Sequence, residues 1–291
     1  MTAITALRQR SEEEAAKLPA LLARAEHLAG TVLLGDHGRR RSGLGDDFWQ
    51  YRPLQQGDAL RDIDWRRSAR SDTQFVRERE WQIAQSVILW VDQAASMRFA
   101  SDDNLPSKAD RARTLALASS ILLIRGGERV GLTGFDLPPR RGQAQITRLA
   151  EMLSVDHGDD YAEPEARGMI PQSRAIFFSD FLGDPAPVEA ALTKAADRGV
   201  RGALVQILDP SEEFFPFDGR TIFQSVGGGF VHETLKAGDL RSRYLDRLAE
   251  RKDRLEQLTQ LTGWQHLCHH TSDSAQSALL WIYRAMDGPH G

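Results

Sequence analysis

A chain of 291 residues, 41% hydrophobic and 27% charged, has the composition of an ordinary soluble globular protein and is long enough to bury a sizeable core in one domain or two. Its net charge of −4 gives no global attraction to nucleic acid or to an anionic membrane. Cys268 is the single cysteine, which excludes an internal disulfide and a cysteine zinc cluster and fits a reducing cytoplasm.

The first residues, MTAITALRQRSEEEAAK, lack the apolar centre of a signal peptide. The longest mostly apolar run, LALASSILLI, is too short to span a bilayer. The expectation is a cytoplasmic protein without membrane insertion.

Residues 4–34 alternate with a helical period. Leu18, Leu21, Leu22, Ala25 and Leu28 form one apolar stripe, with Pro19 placed to kink or restart the helix. Residues 35–58 read as loop, because glycine and aspartate cluster there without a period. From 43 to 81, arginines alternate with acids and with Trp49, Tyr51, Trp65 and Trp81. Basic residues among aromatics can grip single-stranded nucleic acid, but here the acids nearly balance the arginines and would repel phosphate. Arg–carboxylate forks buttressed by aromatics are the better reading. Residues 73–81, TQFVREREW, suit an edge strand.

SVILWVDQAASM at 86–97 is the central stretch. An unbroken apolar run reads as a strand buried on both faces of a parallel sheet, and Asp92 then stands at its carboxyl edge, where open α/β folds bind ligands. Strand-like runs follow at 129–135, 175–181, 203–209 and 264–270. Helix-like runs fill 107–125, 145–154, 185–199, 239–262 and 273–286. Alternation of this kind predicts βαβ crossovers and a mainly parallel, doubly wound α/β sheet with helices on both faces, preceded by a helical and irregular N-terminal segment. PPRRGQAQ can add an antiparallel edge strand, and the 211–237 stretch, with its Gly-Gly-Gly, reads as a hairpin. The expected division is 1–82 for the N-terminal segment, packed on the main domain, and 83–291 for the α/β domain.

Asp92, Asp136, Asp180 and Asp209 all stand at strand ends and share one rim if the sheet is parallel. Hard oxygen ligands gathered there suit a divalent cation. Asp209-Pro210 and Asp184-Pro185 look like helix caps or turns, the reading preferred for Asp136 and Asp209, whereas Asp92 and Asp180 follow fully apolar strands. His269 and His270 stand together without metal-ligand spacing to a third group.

DQAAS at 92–96, together with FFSDF at 177–181, resembles the metal-ion-dependent adhesion site of von Willebrand factor A domains. Asp92 matches the first Asp, Ser96 the last Ser and Asp180 the distant Asp. Ala94 replaces the middle Ser, and Asp159 or Asp160 stands where a Thr is usual. The preceding block resembles domain-of-unknown-function family 58, whose members carry a von Willebrand A-like domain. The matching positions are Gly43, Gly45, Asp47, Phe48, Arg52, Gly57, Asp58, Arg61, Ile63, Asp64, Trp65, Ser68, Ala69, Arg70, Val76, Arg77 and Glu78. Leu54 departs from the usual Tyr.

The resemblance implies a degenerate metal site at Asp92, Ser96, Asp159 and Asp180 for Mg²⁺ or Mn²⁺, and a signature or docking surface at Arg52, Asp58, Arg61, Asp64, Trp65 and Arg70. It also implies a non-enzymatic adaptor that works with a MoxR-type AAA+ ATPase and a client protein in chaperone-like maturation or a stress response. The alternative is a metal-dependent, phosphatase-like hydrolase with Asp92 as nucleophile and Asp180 beside it. Against it, Ala94 occupies the position of the general acid, and no Walker loop or Gly-x-Ser-x-Gly elbow occurs.

Overall fold

The computed structural model describes residues 19–32, 40–55, 63–70, 73–82, 85–135, 137–155, 159–164, 169–225, 228–229 and 231–287. The chain divides into two compact units: Gly35–Ala84, and Met1–Leu34 with Gln85–Gly291. The helix α1 (19–30) therefore belongs with the α/β unit, and the arginine- and tryptophan-rich segment stands as a unit of its own.

In the smaller unit, β1 (Arg40–Pro53) pairs antiparallel with β2 (Phe75–Gln82). The loop expected over 35–58 is thus a strand from residue 40 onward. Its pairing slips between Gly43 and Phe48 and again between Phe48 and Gln50. Such slips break the two-residue alternation by which a strand is recognised. The one-turn helix α2 (Trp65–Ser68) lies between the two strands in sequence.

The larger unit runs through β3 (Ser86–Val91), α3 (Lys108–Arg125), β4 (Arg129–Leu132), β5 (Leu137–Arg140), α4 (Gln143–Leu153) and β6 (Arg174–Ser179). It continues through α5 (Pro185–Asp197), β7 (Arg201–Leu208), α6 (Pro210–Phe214), the hairpin β8 (Thr221–Gln224) and β9 (Val231–Thr234), α7 (Gly238–Thr262), β10 (Gln265–His270) and α8 (Ala275–Asp287). The main sheet has six strands in the order β10-β7-β6-β3-β4-β5. All neighbours are parallel except β5, which runs antiparallel to β4. Pro138 and Pro139 lie in this edge strand, where a missing N–H costs no central ladder bond.

Both faces of the sheet are covered. Val87, Leu89 and Val91 of β3 join one core with residues of α1, α3, α4 and α8. Ile88 and Trp90 join the other core, with residues of α5 and α7. Alternate residues of one strand thus enter opposite cores, which is why the run 87–91 has no polar break. Asp239 lies in the first turn of α7 rather than at its cap, which is Ala237; Gly263 closes the helix in the left-handed conformation, φ 71°.

At Gly202, β7 lies opposite Ala175 of β6. A Cβ there would lie 1.8 Å from the Ala175 carbonyl oxygen. Since the obstacle is backbone, Gly202→Ala is expected to destabilise the unit by about 1–3 kcal/mol, the usual cost of overpacking. Urea denaturation checks this; an unchanged midpoint would refute the close approach.

Candidate functional site

Numbered along the chain, the six strands of the main sheet stand in the doubly wound order 3-2-1-4-5-6, whose switch point lies between the first and fourth strands. These are β3 and β6, which end at Asp92 and Asp180. The neighbouring β7 leads to Asp209, which caps α6.

Asp92 is almost fully buried. Its Oδ1 accepts from the Ala94 N–H at 2.9 Å and its Oδ2 from the Ser179 hydroxyl at 2.7 Å. Ser179 Oγ in turn accepts from the Phe181 N–H at 2.9 Å. Burial and, next, the charge of Asp180 push the Asp92 carboxyl up to about 6, outweighing these hydrogen bonds and Lys108. Phe181 sits at φ 52° and packs its ring 6.3 Å from that of Trp90. A non-glycine residue in the left-handed region costs on the order of 1 kcal/mol, which the buried turn offsets.

Asp180 faces a resident cation. Lys108, the first residue of α3, is 1% exposed, and its Nζ donates to Asp180 Oδ2 at 2.8 Å and to Glu212 Oε1 at 2.6 Å. Burial alone would lower the ammonium's pKa, but the two carboxylates outweigh it and hold it above the usual lysine value. Burial raises the Glu212 carboxyl, with Lys108 pulling the other way. Glu212 is positioned by a capping box: Asp209 accepts from the Ser211 N–H at 2.8 Å, and Glu212 Oε2 accepts from the Asp209 N–H at 2.9 Å. Asp209 is fully used as a cap and is held below its ordinary value by Ser101 and Ser211, against burial.

Above this floor opens a cleft of about 600 Å³, lined by Ser96, Lys108 and Asp180 below and walled by Tyr161, Phe215, Phe223 and Tyr244. Phe215 anchors the wall, its ring centroid 4.9 Å from Tyr244 and 5.8 Å from Phe223. Arg243 and Arg247, one helical turn apart on α7, are both exposed and also line the cleft. Neither has a carboxylate partner among the described residues.

Of the residues expected to hold a metal, Ser96 and Asp180 reach the cleft and Asp92 lies behind it. Asp159 reaches the site only through its carbonyl oxygen, which accepts from the Ala95 N–H at 2.7 Å, while its side chain is exposed. The Ser96 hydroxyl is buried without a hydrogen-bond partner among the described residues. A Mg²⁺ ion needs several oxygens at about 2.0–2.1 Å. Here the Lys108 ammonium engages Asp180 Oδ2 and Glu212 Oε1, and protein donors engage both oxygens of Asp92. This donor set fits a side-chain ammonium and does not fit a divalent ion. Asp136 lies outside the described residues.

Sequence reasoning passed over Lys108, Glu212 and the two arginines. One signal for Lys108 was available: a lysine at the first helical position opposes the helix dipole and therefore calls for anionic neighbours. Glu212 was readable from Asp209-Pro-Ser-Glu as a capping box.

In the smaller unit, Asp64 caps α2, accepting from the Arg67 N–H at 3.0 Å and from the Tyr51 hydroxyl at 3.1 Å. Arg67 lies over the Tyr51 ring at 4.4 Å and the Phe75 ring at 5.2 Å, so aromatic faces hold its guanidinium. Arg70 lines the same hollow with Asp64, and Trp65 is 59% exposed. Arg52 is described only through its backbone pairing with Val76; Asp58 and Arg61 lie outside the described residues.

Fold and site together define a doubly wound α/β protein with a cleft at its switch point. The family model "Protein of unknown function DUF58" matches residues 50–254, and the chain belongs to that family. Uncharacterized proteins of Mycobacterium tuberculosis and Mycobacterium bovis are each 28% identical to it over 221 residues, spanning 69% of this chain and 67% of theirs. Among solved structures, the conserved hypothetical protein BatB of Bacteroides thetaiotaomicron is 16% identical with a TM-score of 0.40, covering 70% of this chain and 98% of its own. An aerotolerance-related membrane protein of Bacteroides fragilis is 18% identical with a TM-score of 0.42, at the same coverage. Among the described residues no helix is long and apolar enough to cross a membrane.

Proposed function

We propose that this protein is a non-catalytic binding module of the von Willebrand A-like kind, a cytoplasmic adaptor for a MoxR-type AAA+ ATPase acting on a client protein in maturation or stress response. In it, Lys108 supplies the positive charge that a divalent ion supplies in an adhesion site. The observation that carries this reading is the Lys108 ammonium held between Asp180 and Glu212 at the switch point of the sheet. The 3-2-1-4-5-6 strand order and the Asp92, Ser96 and Asp180 positions support the same reading.

The cleft suits a peptide segment that carries a carboxylate beside an apolar side chain. Tyr161, Phe215, Phe223 and Tyr244 take the apolar part, and Arg243 and Arg247 take the carboxylate by charge-assisted hydrogen bonds. Nothing in that chemistry needs a nucleophile. A hydrolase working through Asp92 is disfavoured, because that carboxylate is buried, has both oxygens engaged and does not line the cleft.

The test is binding of the purified chain to a MoxR-type ATPase of the same organism, locked in its ATP-bound state, by interferometry. Saturable binding is expected, weakened about tenfold or more by Arg243→Ala with Arg247→Ala, since a charge-assisted bond contributes about 1.5–3 kcal/mol. Absence of binding would remove the proposed partner. Equal affinity of the double variant would remove the cleft as the docking site.

A further inference from the structure

Where α6 meets β10, a second group of side chains converges. Cys268 and His270, two residues apart on β10, project to the same side of the strand, and Glu213 of α6 meets them. One ligand atom from each of the three lies within 4.8 Å of the others. His270 Nε2 is 2.6 Å from Glu213 Oε2. This is the third group that the histidine pair lacked in sequence. His269, its neighbour, turns away: its Nε2 is 3.2 Å from Arg111 Nη1, and burial with that guanidinium brings its pKa down to about 4.

We propose that Glu213, Cys268 and His270 form a transition-metal site selective for Zn²⁺, with its fourth position open to water or to a partner's side chain. Thiolate, imidazole and carboxylate together make a borderline-soft donor set, which suits Zn²⁺ and not Mg²⁺ or Ca²⁺. A second observation supports it. Asp273 Oδ2 lies 3.4 Å from His270 Nδ1, on the ring nitrogen away from Glu213. An outer carboxylate on the far nitrogen is how metal-binding histidines are oriented, so that Nε2, which faces Glu213, is the nitrogen that would ligate. All three ligands are half-buried, so an ion can reach them from solvent.

A cation already tests this place. Lys252 Nζ of α7 donates to Glu213 Oε2 at 2.6 Å. Binding of Zn²⁺ displaces that ammonium, whose long stem allows it to swing into solvent. The Cys268 S–H and His270 Nε2–H bonds break as the S–Zn and N–Zn bonds form, while Nδ1 keeps its proton toward Asp273; two protons pass to solvent, and no electrons are exchanged. Lys252 therefore competes with the metal for Glu213.

The experiment is titration of the full, chelator-treated chain with Co²⁺, followed by Zn²⁺ displacement. The expected result is saturation at one equivalent, with a thiolate-to-cobalt charge-transfer band and the visible bands of a tetrahedral ion. Because the chain has a single cysteine, that band reports Cys268 alone. Cys268→Ser abolishes it, while Glu213→Gln and His270→Ala weaken binding, and Asp273→Asn weakens it about 10–100-fold, as loss of an outer partner does. Lys252→Met is expected to tighten binding, a gain that misfolding cannot produce. A wild-type chain without the charge-transfer band overturns the proposal. So does an affinity untouched by Glu213→Gln and His270→Ala, or a Lys252→Met chain that binds no more tightly.

Discussion

Lys108→Met is expected to lower the stability of the α/β unit by about 3–5 kcal/mol at pH 7, the usual cost of removing one partner from a buried ion pair. Methionine retains most of the side-chain volume, so a cavity is not the cause. The cause is that Asp180 and Glu212 lose the ammonium that both of them face at hydrogen-bond distance. The wild-type contribution is present in full at neutral pH: the lysine's pKa is raised by folding, so its stabilisation holds below the unfolded value and is lost only as pH rises through the folded one. In the variant, the uncompensated carboxylates recover by taking up protons. The deficit should therefore shrink between pH 7 and pH 5, and adding Asp180→Asn and Glu212→Gln to Lys108→Met should restore much of the loss. Urea denaturation at the two pH values measures this. A Lys108→Met chain as stable as the wild type would contradict a buried ammonium at this position. A deficit that did not vary with pH would mean that carboxylate desolvation is not its source.

Asp92→Asn is expected to act in the opposite direction. Burial and Asp180 raise the Asp92 carboxyl from 3.8 to about 6. Between these values the folded protein holds more proton than the unfolded chain, so stability falls as pH rises through that window and stays reduced above it. The shift corresponds to about 3 kcal/mol, to order of magnitude. Asparagine keeps the geometry. Its oxygen still accepts from the Ala94 N–H, and its amide donates to Ser179 Oγ, which accepts only one bond in the wild type, from Phe181. The variant should therefore be more stable than the wild type at pH 7.5, by about 1–3 kcal/mol, and should lack the decline expected of the wild type between pH 4 and pH 6. Denaturation of both chains at pH 4.5 and 7.5 decides it. An Asp92→Asn chain that is less stable at pH 7.5 would mean that the negative charge is required, as a divalent ion beside Asp92 and Ser96 would require it.

The secondary structure of the larger unit was largely legible. The run at 87–92 corresponds to the strand Ser86–Val91, and the run at 203–209 to Arg201–Leu208. The helical run at 239–262 corresponds to Gly238–Thr262. Strands buried on both faces leave unbroken apolar runs, and helices leave a stripe, so their positions survive in one dimension. The strand Arg40–Pro53 was not legible, because its register slips twice and so breaks the two-residue alternation by which a strand is read. The helix Pro210–Phe214 was missed because one turn is too short to show a period.

The candidate site divides in the same way. Asp92 and Asp180 were identified from their place after apolar strands, and a parallel sheet necessarily brings such ends to one rim. What the rim contains was another matter. Lys108 lies 72 residues from Asp180 and 104 from Glu212, and the sequence marks it only as a lysine at an unusual helical position. The metal expectation considered oxygen ligands alone; the structure adds a cation from a helix N-terminus that the motif does not include.

By itself, then, the sequence determined the α/β alternation, the buried strands and the carboxylates at their ends, because these follow from local periodicity and chain direction. Only the tertiary structure decided that an ammonium stands between Asp180 and Glu212, that two arginines one turn apart reach an aromatic cleft, and that Glu213 meets Cys268 and His270. Each of these depends on where separate elements pack against one another. The charge of a buried site is set by that packing, since burial makes an unpaired carboxylate costly and a neighbouring lysine the cheapest remedy.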